Sequence, residues 1–200
     1  MTNACDEAFR IVEAVGQDRR SRTRGLDAFS LSLIRCEGQL RRIFTSLVFQ
    51  ASAFERPDVD TLRSALAARS TIYFKHFKIG IPDLVGIGIE ELIGDFALLD
   101  ARLTEATLHR NKLFHGQLTD SSLGTEQLLS MAHDIRTWRE RLSDGAQERF
   151  GYDGFSGSSF RKRGVDEITG SVDAKITSLA DYKAFLANLP SRWKELFGAR

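Results

Sequence analysis

Residues 26–54 read LDAFSLSLIRCEGQLRRIFTSLVFQASAF, and their spacing decides the fold class. Leu26, Phe29, Leu33, Cys36, Leu40, Ile43, Leu47 and Phe54 recur at alternating steps of three and four, with one polar skip at Gln50. That rhythm puts every apolar side chain on one stripe of a helix and none on the alternating face of a strand. The spacing predicts a long helix over about residues 26–55 whose stripe needs partners.

Outward from this segment, only Pro57, Pro82 and Pro190 interrupt the chain, which leaves room for helices of several turns. After Pro57, Asp58 and Asp60 supply carboxylates for free N–H groups ahead of Leu62, Ala65, Leu66, Ile72 and Tyr73, and predict a second helix to about residue 77. The stretch KIGIPDLVGIGIEELIGD, rich in glycine and holding Pro82, reads as a connection with at most a short helical piece. Phe96, Leu99, Leu103, Ala106 and Leu113 mark a third helix over about 95–115, ending at Gly116. Leu128, Met131, Ile135, Trp138 and Leu142 mark a fourth, starting near Thr125. The expectation is all-α, an antiparallel four-helix bundle over 26–150. Residues 1–25 add a short helix over Ala4–Val15 and the basic run Arg19, Arg20, Arg22 and Arg24. Residues 151–200 add a loop studded with Tyr152, Phe155 and Phe160, then a short helix capped by Ser178 and Asp181 and ended by Pro190, the whole packed on the bundle.

Two hundred residues, 42% of them apolar, suffice for one well-cored domain. Lys and Arg number 28 against 27 Asp and Glu, a net charge of +1, so a polyanionic partner must be met by local patches. Cys5 and Cys36 lack the paired spacing of a zinc site. The start MTNACDEAFR has neither a basic n-region nor an apolar core, and no apolar run approaches the roughly 18 residues of a membrane span. A cytoplasmic protein with reduced thiols and no membrane contact is expected.

The seam of the third helix carries the chemistry. Stepping from Leu99 through Leu103 and Ala106 by the same rhythm lands on Arg110 and then Leu113, so a guanidinium stands where the bundle expects a core side chain. A buried charge is costly and persists chiefly with a partner or a task. Asn111 lies one turn before His115, where its amide can orient the imidazole. Arg69 with His76 and Arg102 with His109 are also Arg–His pairs, but neither has the accompanying Asn and Gly.

The segment HRNKLFHGQ, residues 109–117, resembles the signature of the HEPN superfamily, in which an Arg and a polar residue are followed by three residues and a His. That family consists of helical bundles, many of them ribonucleases of toxin and antiviral systems. The resemblance implies a metal-independent endoribonuclease with Arg110, Asn111 and His115 in the catalytic site, no cofactor, RNA as substrate, and a homodimer that completes the site. It also implies a toxin–antitoxin or phage-defence setting, with an antitoxin or other regulatory protein as partner. Family toxins silenced by nucleotidyl transfer carry a tyrosine two residues beyond the His; here that residue is Gln117, so this regulation is not expected. Arg161, Lys162 and Arg163 are candidates to grip flanking phosphates, and Tyr152 to stack a base. The alternative reading is a non-catalytic HEPN-like module that binds nucleotide or protein.

Overall fold

The stripe read from residues 26–54 becomes α2, Arg24–Val48, on which Phe29, Leu33, Cys36, Leu40, Ile43, Phe44 and Leu47 are buried. Each large side chain buried this way contributes roughly 1.5–3 kcal/mol. The computed structural model describes residues 4–114 and 123–198, and among these the regular structure is entirely helical. Before α2 comes α1, Ala4–Gln17; after it a 3-10 turn, Arg56–Asp58, leads into α3, Val59–Ala67. Next are α4, Phe74–Val85, α5, Ile89–Ile93, α6, Phe96–Phe114, α7, Thr125–Phe150, α8, Asp166–Asp173, and α9, Leu179–Phe197. No described helix is long and apolar enough to cross a membrane.

Pair contacts define the helix directions. Arg24 pairs with Glu126 at 2.6 Å, and the Gln39 amide donates to the Arg139 carbonyl at 3.2 Å, so α2 and α7 run parallel. In α6, Arg102 pairs with Asp134 at 2.9 Å, while Leu92 of α5 backs onto Gly145, so α6 descends against α7. Arg136 of α7 holds Asp6 and Glu13 of α1, and Arg24 donates to the Gly16 carbonyl, which sets α1 antiparallel to its neighbours. The expected up-and-down order, in which the first and fourth long helices oppose each other, is therefore not the observed one. Its cause lies in the segment read as the second helix. Residues 59–77 break into α3 and the start of α4, and α4 packs on α2 with Phe77 against Phe44, ring centroids 5.4 Å apart.

Three boundaries differ from expectation. α2 stops at Val48, and the C-terminal segment holds the residues that follow it: the Lys162 ammonium donates to the Gln50 and Ala51 carbonyls, and the Asp173 carboxylate accepts from the Ser52 N–H at 2.7 Å. α4 occupies much of the stretch read as a connection, since Ile79, Ile81, Leu84 and Val85 are buried and Pro82 sits near its end. α9 runs through Pro190 to Phe197, with Leu186 and Leu189 buried before the proline and Trp193 packed after it. Its start agrees with the reading, because the Ser178 hydroxyl accepts from the Asp181 N–H at 3.2 Å. Tyr152, Ile168, Val172, Ile176, Tyr182 and Leu186 belong to the same buried cluster as the α2 stripe.

The start of α4 depends on a neutral imidazole. Nδ1 of His76, a side chain in a residue only 4% exposed, accepts from the Tyr73 N–H at 2.9 Å and so caps the helix. Burial, with Lys75 adding to it, holds the His76 pKa below its ordinary value. The unfolded chain takes up this proton as pH falls through the ordinary histidine range, whereas the folded chain resists it. The His76 contribution to stability is thus present above that range and lost as pH falls through the depressed folded value. Thermal unfolding from pH 7.5 down to 5 (about the span in which histidine titrates) should show Tm falling in wild type and falling less in His76→Gln, which keeps an acceptor without the titration.

Candidate functional site

On α6, Leu103 and Ala106 are 2% and 1% exposed, and Arg110, the next step on that stripe, is half-buried. Arg110 is thus partly covered, one step along from the buried Leu103 and Ala106. The register set by Arg102 and Asp134 puts Arg110 level with Glu126, in the first turn of α7. That turn is where Gly124 donates its N–H to the Gln127 side chain at 2.8 Å and where the helix dipole leaves partial positive charge.

The same end of the molecule carries the start of α2, because Arg24 reaches Glu126 and Gly25 lies against the Thr125 backbone. Arg19, Arg20 and Arg22 of the connection before α2 are exposed there. Arg20 is engaged with Asp18 at 3.2 Å. His109, next to Arg110, faces Glu105 through Nε2 at 3.5 Å, and its buried Nδ1 has no hydrogen-bond partner among the described residues. His115, Gly116 and Gln117, and the side chains of Asn111 and Leu113, lie outside the described residues.

The expected substrate contacts at 152–163 are placed at the other end. Arg163 donates its N–H to the Gln50 side chain at 2.7 Å, just past the C-terminus of α2, whereas Arg110 is level with the start of that helix. At 1.5 Å per residue these ends are roughly 35 Å apart. Tyr152 is 1% exposed; its hydroxyl accepts from Arg42 at 2.9 Å, and the Arg163 guanidinium lies 4.4 Å from its ring centre. Burial raises the Tyr152 pKa against the opposing influence of Arg42. A ring covered this way offers no face to a base. Arg163 also donates to the Ser158 carbonyl at 2.7 Å, and Lys162 closes the end of α2, so both act first in holding the 151–165 loop. Arg161 remains exposed.

The loop has its own lock. The Asp153 carboxylate accepts from the N–H groups of Phe155 and Ser156, each at 2.7 Å, and from the Ser156 hydroxyl at 2.6 Å. Burial pushes its pKa up, but these hydrogen bonds outweigh that and hold it below the ordinary carboxylate range.

One buried cation is missed by residue type and motif alone. Arg139 is 0% exposed, with its guanidinium 4.3 Å from the ring centre of Phe9 and 4.7 Å from that of Phe155, and its Nε donates to Gln39 at 3.2 Å. A signal for it exists: Leu128, Ala132, Ile135, Arg139, Leu142 and Ala146 also follow steps of four and three. Arg139 joins α1, α2, α7 and the 151–165 loop, and its environment is structural. Cys36 is likewise internal, with burial pushing its thiol up to about 12, far from a reactive thiolate at neutral pH.

Comparison of the chain with protein-family models, with curated proteins and with solved structures returns no match.

Proposed function

We propose that the chain is a metal-independent endoribonuclease of HEPN type, built on a bundle that includes α2, α6 and α7 and active as a homodimer. The observation that carries the reading is that Arg110 continues the buried stripe of α6 yet stays half-buried, on a register that the Arg102–Asp134 pair sets level with the first turn of α7. A phosphodiester drawn to that end meets a forked, permanently charged donor and a helix N-terminus together.

In the proposed reaction the RNA 2′-hydroxyl attacks the adjacent phosphorus. One His115 removes the hydroxyl proton, a second protonates the departing 5′-oxygen, and Arg110 bears the charge that grows on the phosphoryl oxygens. A single imidazole does not serve both proton transfers at once, and a two-fold pair of chains supplies two. Asn111 orients the imidazole or the phosphate. The products carry a 2′,3′-cyclic phosphate and a 5′-hydroxyl. The setting that fits such an activity is a toxin–antitoxin or phage-defence system in which another protein restrains it.

Mixed cellular RNA incubated with wild type and His115→Ala in EDTA tests this. Wild type should degrade the RNA, and the variant, folded and of unchanged oligomeric state, should leave it intact. RNA left intact by wild type would favour the non-catalytic module.

A further inference from the structure

Away from Arg110, the loop after α7 and the start of α3 enclose a cleft of about 900 Å³ that includes Phe49, Arg56, Arg63, Phe160, Arg161 and Lys162. Its base is aromatic: Phe160 packs edge-on against buried Phe49, centroids 5.6 Å apart. The Arg63 guanidinium lies 4.8 Å from the Phe160 ring centre, while its side chain stays 61% exposed. Arg56 and Arg161 are exposed, and their guanidinium groups form no hydrogen bond or ion pair among the described residues. Lys162 is a fixed charge at the border, its ammonium bound by two carbonyls. Glu55 and Asp60 share the wall, and Asp60 is engaged by Arg63 at 3.4 Å.

We infer that this cleft binds a single strand of RNA, with Arg56 and Arg161 on its phosphates and a base stacked on the Arg63–Phe160 pair. A positively charged groove with stacking planes is the combination that holds single strands with little regard to sequence. The surplus of cations over carboxylates in the lining attracts the backbone, and a guanidinium already set over an aromatic ring extends the stack. A free phosphate ion would use the cations and leave that platform idle. The inference rests on RNA being the substrate. Because the cleft is roughly 35 Å from the level of Arg110, it holds a part of the strand remote from the bond that is cut.

The test uses the full chain and a short fluorescent 2′-O-methyl oligoribonucleotide, which lacks the attacking hydroxyl, so binding is read apart from cleavage. Wild type should bind with a salt-dependent affinity. The triple variant Arg56→Gln, Arg63→Gln, Arg161→Gln should lose about tenfold or more, with the log–log salt slope shallower by about 1.4 for the two phosphate contacts removed. The corresponding triple Arg→Lys variant should recover the salt-dependent part. An unchanged affinity in the Gln variant, or no binding by wild type, would overturn the inference even if RNA is cleaved. Inorganic polyphosphate competing as well as the oligonucleotide per charge would also overturn it, as the mark of a general polyanion site.

Discussion

Arg110→Ala is expected to lose roughly 100- to 1,000-fold in the rate of RNA cleavage, the usual cost of removing one preorganised donor from a developing oxyanion. The fold should tolerate it. Arg110 is half-buried near the end of α6, alanine is the best helix former, and the turns before it are held by Leu103 and Ala106. Arg110→Lys keeps the charge but not the planar fork, so it should restore only part of the activity. Rate constants measured with saturating RNA, alongside Tm and oligomeric state, separate this from a packing defect. A large fall in Tm with activity lost in proportion to unfolded protein would mark Arg110 as another Arg139.

Gly145→Val is expected to produce the largest loss of stability. A Cβ at Gly145 would overlap the carbonyl oxygen of Leu92 and stand 2.8 Å from its carbonyl carbon, so α7 and α5 approach backbone to backbone there. Neither wall of that contact is a side chain able to swing aside. Overpacking of this kind costs about 3 kcal/mol or more, equivalent to a fall in Tm of about 10 °C for a chain of this size. Gly38, also helical, has nothing within 4 Å of the place a Cβ would take. Gly38→Ala should therefore stabilise α2 by up to about 1 kcal/mol. Opposite shifts from two helical glycines would confirm that contact, not helix propensity alone, governs position 145.

The contrast shows what is legible in the sequence. The long stripes of α2 and α7 are readable because each buries one continuous face, as the burial of Leu40, Ile43, Ile135 and Leu142 confirms. Helix ends and directions are not, because they depend on contacts between remote segments. Nothing in residues 48–52 announces that Lys162 and Asp173 will receive them, and nothing local says that α4 packs against α2 at Phe44. Pro82 and Pro190 mislead for the same reason, since a packed helix with buried Leu84 or Leu189 tolerates the hydrogen bond that proline omits.

The candidate site divides along similar lines. Arg110 is found by a rule about rhythm, and its placement on the α6 stripe follows from that rhythm. The same rule, applied evenly, also selects Arg139, and the two differ in a way only packing reveals: two rings and an amide enclose Arg139, whereas Arg110 keeps part of its surface. Tyr152 is selected by residue type, which carries no information on burial. Arg56 and Arg63 carry no signal at all, being ordinary surface arginines until the 158–162 loop folds beside them.

The chemistry of the ends left on cleaved RNA tests the central claim most directly. After incubation with wild type in EDTA, attack by the 2′-hydroxyl under Arg110 and His115 predicts 2′,3′-cyclic phosphate on the upstream fragment and a 5′-hydroxyl on the downstream one. Fragments ending in 3′-hydroxyl and 5′-phosphate would contradict it.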